Sequence, residues 1–180
     1  MKLDQLPKYL INLDSRTDRL EESKKQLKGI EYQRVSAIKG GAIGLSKTIK
    51  SLCDKQETFL MIEDDVHFTH PDAYENICKA FDRLPDDWDI FLGGSHFFNI
   101  QKQISNDLVK LGRWSSTHFA VINKRVFPYV YTHKNGHIDY HLSKQNLNVY
   151  MAYPVQVIQR AGYSDIQQKT TNHKIVNNSL

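Results

Sequence analysis

Four apolar residues run directly into three carboxylates at Phe59-Leu60-Met61-Ile62-Glu63-Asp64-Asp65. A short apolar run bounded by polar residues reads as a buried strand. Its charged successors need water or partners, because an unpaired buried carboxylate is costly. The stretch therefore reads as a core strand ending in three mutually repelling acids, a cost that something must offset. Alternate side chains of an extended chain share a face, so Glu63 and Asp65 are expected on one side and Asp64 on the other. Two carboxylates on one face suit a hard divalent cation, Mg²⁺ or Mn²⁺, which prefers oxygen ligands and bridges to substrate phosphates. Asp64 is then free to accept from ribose hydroxyls or a loop amide. The plainer alternative is a solvated turn after a strand.

The pattern around this strand alternates. Tyr9–Leu13 reads as a strand and residues 16–28 as a helix, with Leu20 and Leu27 on one face and Glu21 four residues before Lys25. Tyr32–Ile38 is expected as a strand, residues 43–53 as a helix, and a helix is expected from Pro71 to about Leu84. Trp88–Leu92 is a further strand, Asn99–Asp107 a surface loop, and His118–Ile122 a strand. A helix near Lys124–Tyr131, a short helix from Asp139 and a strand over Val149–Ile158 follow; the polar tail after Ile166 is expected to fray. Such alternation predicts an α/β sandwich with a mostly parallel central sheet, in one domain over residues 1–180. Ligands of such sheets collect at strand carboxyl ends. Both Asn12-Leu13-Asp14 and Glu63-Asp64-Asp65 lie at such ends.

Composition narrows the class. The charge of +4 is mild and spread, with no basic tract interleaved with aromatics, so nucleic-acid binding is disfavoured. No run approaches the roughly 20 apolar residues of a membrane span, and the N-terminus lacks a signal-peptide core. Cys53 and Cys78 read as free thiols in a reducing compartment. The expected location is cytoplasmic or peripheral to a membrane.

Three further stretches carry candidate chemistry. In Asn12-Leu13-Asp14-Ser15-Arg16-Thr17-Asp18-Arg19, Ser15-x-x-Asp18 has capping-box spacing. The same strand-to-helix turn offers backbone amides and a dipole end to an anion, and Arg16 could fork onto a diphosphate. Gly41-Ala42-Ile43-Gly44-Leu45-Ser46-Lys47-Thr48 imitates a phosphate-binding P-loop, but Ser46 stands where that loop needs a glycine. It reads better as a helix with Ile43, Ile49 and Leu52 facing inward. Of the eight histidines only His137 and His141 share helical spacing, without a third ligand for zinc, so the histidines are read as surface residues.

Taken in order, these segments resemble the family 25 glycosyltransferases, which make lipopolysaccharide-type glycans and include the collagen galactosyltransferases. Tyr9–Arg19 resembles the opening "INLD-x-R-x-x-R" segment, and Arg34–Ile38 the second strand. Gly41–Ser46 is similar to the "GEIGC-x-x-SH" helix start, Leu60–Asp65 to "LEDD", and Thr117–Ile122 to "GTHAY-x-I". Ala42 stands where that family has an acid, Leu45 a cysteine and Ser116 a glycine, departures that bear on the donor more than on the fold.

The resemblance implies a GT-A type nucleotide-diphospho-sugar transferase sandwich acting on a UDP-sugar, with a glycan, a lipid-linked glycan or a protein as acceptor. Ile11, Asn12, Leu13, Asp14, Arg16, Ser46 and Asp64 would line the donor, and Asp65 with Glu63 would hold Mn²⁺ or Mg²⁺. Family members invert configuration, which implies a carboxylate base, assigned here to Asp139. Asp139 also suits the N-cap of its helix. His173 is a further candidate for the metal shell. The alternative from another class is a non-catalytic nucleotide-sugar or glycan-binding module of the same fold.

Overall fold

The computed structural model describes residues 1–164, 169–171 and 176–177. The chain opens with β1 (Lys8–Asn12), α1 (Thr17–Gln26), β2 (Gln33–Ser36), α2 (Gly41–Cys53) and β3 (Phe59–Glu63). Then come β4 (Val66–Phe68), α3 (Ala73–Phe81), β5 (Ile90–Leu92), β6 (Phe97–Ser105), β7 (Leu108–Trp114) and β8 (Phe119–Ile122). The remainder comprises α4 (Phe127–Thr132), α5 (Ile138–Leu142), β9 (Val149–Ala152), β10 (Val157–Gln159), β11 (Gly162–Ser164), β12 (Lys169–Thr171) and β13 (Val176–Asn177). No helix among the described residues is long and apolar enough to cross a membrane.

Among the described residues one sheet carries nine strands in the order β13-β6-β7-β9-β5-β8-β3-β1-β2. The α/β reading holds, but the sheet is mixed rather than mostly parallel. β1 lies parallel to β2 and β3, and β5 parallel to β9. β8 inserts antiparallel between β3 and β5, and β6–β7–β9 is antiparallel throughout. Parallel neighbours need a crossover, whereas a tight turn joins antiparallel ones. After β5 the chain makes a hairpin instead of a helix, and the sheet changes direction there.

That hairpin also replaces the expected loop at Asn99–Asp107. β6 exposes much of its surface and so lacks an apolar stripe, while its partner β7 buries Leu108, Val109 and Leu111. Strand formation there comes from pairing, which periodicity does not report. The strand expected over Val149–Ile158 is broken as well. β9 stays in the main sheet, Pro154 interrupts the ladder because it has no N–H to donate, and β10 leaves to pair with β4.

Period-two alternation along the central strands builds a core on each face. Tyr9, Ile11, Met61, Ile90 and Leu92 meet Ile49 and Leu52 of α2, Val130 of α4 and Ile138 of α5. Leu10, Leu60, Ile62 and Phe91 meet Ile77 and Phe81 of α3. Each such side chain, once fully buried, contributes about 1.5–3 kcal/mol. Two glycines fix the joints that shape the crevice. A Cβ on Gly44 would lie 2.0 Å from the Ile38 carbonyl oxygen, so α2 rests directly on the turn after β2. A Cβ on Gly94 would lie 1.9 Å from the Val157 carbonyl oxygen, and Gly93 accepts from Gln156 N (3.1 Å) and Val157 N (3.2 Å). The chain after β5 is thereby clamped to β10.

Gly94→Ala is therefore expected to lower unfolding free energy by about 1–3 kcal/mol, as overpacking against backbone does. Urea denaturation would show it as a lower midpoint at unchanged slope.

Candidate active site

The carboxyl ends of β1 and β3 open into a crevice of about 260 Å³. Its apolar lining comes from Ile11, Leu13, Ala37, Ile38, Leu45 and Ile138. Its polar lining includes Glu63, Asp64, Asp65, Arg19, His96, Thr117, Asp139 and Gln159. β3 ends at Glu63, and Asp64 and Asp65 already belong to the turn into β4. Strand alternation stops there, so all three acids line the same crevice instead of dividing between two faces.

Each acid is held differently. Asp64 receives Arg19 Nη1 at 2.7 Å and Asn12 Nδ2 at 2.8 Å, and its carbonyl accepts from Ser23 Oγ at 3.0 Å. Asp65 receives Gln159 Nε2 at 3.1 and 3.2 Å and lies 3.6 Å from Arg19 Nη1. Glu63 accepts from Thr117 Oγ1 at 2.9 Å and has no cationic partner among the described residues. Asp139 accepts Ser116 N at 2.7 Å and Tyr140 N at 2.8 Å. Burial, and then the charge of Asp65, push the Glu63 carboxyl up, to about 8. Burial also raises Asp64, against the opposing pull of Arg19 and Asn12.

The other residues singled out in the sequence fall into two groups. Ile11 and Leu13 line the crevice. Asn12 is buried beneath it, fixing Asp64 while accepting from Arg34 Nε at 3.1 Å. Asp14 is exposed and paired with Arg34 and Ser36. Arg16 grips Asp18 through Nε (3.0 Å) and Nη2 (2.9 Å), holding that carboxyl down at about 2, and Ser15 makes no capping box. Ser46 is buried and bonded to His133 Nδ1 at 2.6 Å, off the crevice wall. His173 lies outside the described residues. Asp139 is not the N-cap of α5, a position His137 takes.

One expectation needs correction. His118 and His133 are core residues, 0% and 2% exposed, rather than surface ones. Lys47, the would-be P-loop lysine, is exposed on α2 and lines no part of the crevice. Sequence reasoning also missed Arg19, His96 and Gln159. Arg19 stood inside a quoted motif at helical spacing from Ser23, but nothing local announces that it reaches across to Asp64. Ser116, where the resembled motif has glycine, has a left-handed φ of 78°, and this conformation aims its N–H at Asp139.

No family model matches the chain, and no curated protein matches its sequence. Solved structures do match its fold. A197 from STIV is 13% identical with a TM-score of 0.51, covering 93% of this chain and 94% of its own. A UDP-glucose pyrophosphorylase from Acinetobacter baumannii is 9% identical with a TM-score of 0.55, covering 87% and 73%. A UTP-bound UGPase from the same organism is 7% identical with a TM-score of 0.53, covering 85% and 72%. The chain thus has an α/β fold similar to that of enzymes handling nucleotide sugars.

The raised Glu63 carboxyl has a pH signature. The unfolded side chain releases its proton near 4.5 and the folded one near 8, so between these values the native state holds a proton the unfolded chain has lost. Stability must therefore fall as pH rises through that window, and level off above it. Glu63→Gln should flatten this decline, with a melting temperature above that of the unsubstituted protein at pH 8.5 in chelator-treated samples. Equal slopes for the two proteins between pH 5 and 8.5 would refute the assignment.

Proposed function

We propose that the protein is a metal-dependent glycosyltransferase of GT-A type that moves a sugar from a UDP-sugar to a hydroxyl of a glycan, lipid-linked or protein acceptor. The observation that carries this reading is a charge imbalance. Four carboxylates, Glu63, Asp64, Asp65 and Asp139, line a crevice whose lining includes one guanidinium, Arg19, and no lysine. Arg19 is committed to Asp64. A diphosphate cannot enter such a site unless more positive charge comes with it.

The donor set fits a hard divalent ion. Glu63 and Asp65 offer oxygen ligands without a direct cationic hydrogen bond among the described residues, and the charge of Asp65 raises the cost of ionising Glu63. Among the described residues no three His, Cys, Asp or Glu side chains form a ready-made metal cage. Ions of the Mg²⁺ class take one or two carboxylates and complete their shell with substrate phosphates and water. Glu63 and Asp65 would hold the ion, and when bound it would neutralise charge developing on the departing diphosphate.

The chain's own residues supply the rest. Ile11, Leu13, Ala37 and Ile38 give a flat base an apolar wall, beside the acid cluster. The acceptor oxygen forms its bond to the anomeric carbon as the bond to the diphosphate breaks, the bonding pair leaving with the phosphate. The hydroxyl proton passes to the Asp139 carboxylate. One displacement inverts configuration.

The same features favour this reading over nucleotidyl transfer. A triphosphate would bring still more negative charge into a site already short of cations. The β1–α1 turn, Leu13–Arg16, has no glycine to let a backbone nest wrap phosphates. A second reading, a binding module without turnover, is favoured by one detail. Both Asp139 oxygens already accept backbone N–H groups, as a purely structural carboxylate would.

Calorimetric titration with UDP should show binding that needs Mn²⁺ and that Asp65→Ala weakens at least about tenfold. Equal UDP affinity with and without metal, unchanged by Asp65→Ala, would refute the metal role. Asp139→Asn should retain UDP binding and lose metal-dependent hydrolysis of the UDP-sugar. An unsubstituted protein that binds UDP and Mn²⁺ but hydrolyses no UDP-sugar would establish the binding module.

A further inference from the structure

The crevice contains a hydrogen-bonded relay that no motif announced. A carboxylate can only accept, so the Gln159 group within 3.1 and 3.2 Å of both Asp65 oxygens is its NH₂. The carbonyl end of that amide then points the other way, where it meets His96 Nε2. A carbonyl oxygen also only accepts, so Nε2 must carry a proton. The obligate acceptor at one end, the Asp65 carboxylate, thus fixes both the flip of Gln159 and the proton on His96.

The fold holds this relay rigidly. β10 pairs with β4 so that Gln159 stands opposite Val66, the residue after Asp65, and Arg160 N donates to the Asp65 carbonyl at 2.7 Å. Gly94, flush against the Val157 carbonyl, brings the chain carrying His96 onto β10. Behind His96 lies the ring of buried His118, 5.6 Å away between centroids and tilted by 30°. His118 is itself set by its contact with the Val157 carbonyl at 3.2 Å. The His96 backbone N–H reaches toward Ser116 Oγ at 3.4 Å, tying the relay to the turn that positions Asp139.

We propose that His96 is a positioning residue, which fixes the Gln159 amide so that its NH₂ group orients the Asp65 carboxylate toward the crevice for a divalent cation. The inference rests on the metal role assigned to Asp65 above. Without His96 the amide of Gln159 is free to rotate, and its other face would turn a carbonyl oxygen onto a carboxylate. Asp65 would then lose a donor and gain a repulsion, and would rotate toward Arg19 instead. Groups that orient a metal's carboxylate and histidine ligands typically govern metal affinity by about 10–100-fold.

The test has two independent arms. In the first, long-range ¹H–¹⁵N spectra of metal-free protein report the His96 tautomer. The Nε2–H form is expected, relaxing to a tautomer mixture in Gln159→Met; an Nδ1–H form would overturn the relay. In the second, Mn²⁺ alone is titrated and free ion is followed by electron paramagnetic resonance. His96→Ala should weaken Mn²⁺ about tenfold or more, with an unfolding midpoint close to that of the unsubstituted protein. His96→Gln, which can place a side-chain N–H near the same point, should recover most of the affinity.

The double variant His96→Ala/Gln159→Met should bind no more weakly than Gln159→Met alone, because one residue acts through the other. Additive losses, or His96→Ala affinity within twofold of the original, would overturn the proposal. An unsubstituted protein that takes up no Mn²⁺ would overturn the metal role of Asp65 and the proposal with it, while the tautomer arm reports separately on the relay.

Discussion

One electrostatic imbalance organises this molecule. The central strand delivers Glu63, Asp64 and Asp65 to a single crevice, and Arg19 can neutralise only part of that charge. Burying like charges together is unfavourable unless protons, guanidinium groups or metal ions compensate. The protein uses the first two for its own fold. Asp64 is held by Arg19 and Asn12, while Glu63, with only the Thr117 hydroxyl beside it, is pushed toward its protonated form. On the proposed reading, the charge left at Asp65 and the proton held by Glu63 are what a divalent cation would compensate and displace. In the proposed reaction, that site would couple the architecture of the sheet to the chemistry of a diphosphate leaving group.

The surrounding fold makes the imbalance sustainable. β1 and β3 are buried on both faces, so their carboxyl ends are fixed in position and cannot splay to relieve repulsion. β8, antiparallel to β3, places Thr117 beside Glu63 and Ser116 beside Asp139. The β4–β10 ribbon returns Gln159 to Asp65, and the Arg19 guanidinium closes the group from α1 while donating to the Tyr163 carbonyl at 2.7 Å. Segments distant in sequence therefore meet around three consecutive acids. The left-handed backbone at Ser116 is the local expense of aiming a main-chain N–H at Asp139.

How much of this was legible beforehand depended on whether the signal was local. Phe59–Asp65 announced a buried strand and its acidic end because burial and charge are written in adjacent residues. The first half of the fold, with its strand and helix alternation, was equally readable. The mixed sheet was not, because strand direction is decided by connections, and β6 exposes too many polar residues to look like a strand. Asp14 and Arg16 looked like ligand residues from their place after β1, yet each found a neighbour of opposite charge, Arg34 and Asp18, within reach. Arg19, His96 and Gln159 were silent, since their partners are 45, 63 and 94 positions away. Long-range polar pairing leaves no periodicity for a sequence reading to detect.

Anomalous diffraction at the manganese edge, from crystals soaked with Mn²⁺ and UDP, tests the central claim most directly. The account predicts a single strong peak beside Asp65 and Glu63, contiguous with density for the diphosphate and with the uracil against Ile11 and Ile38. A nucleotide bound in some other cleft, or a diphosphate seated here with no anomalous peak beside the acids, would contradict it.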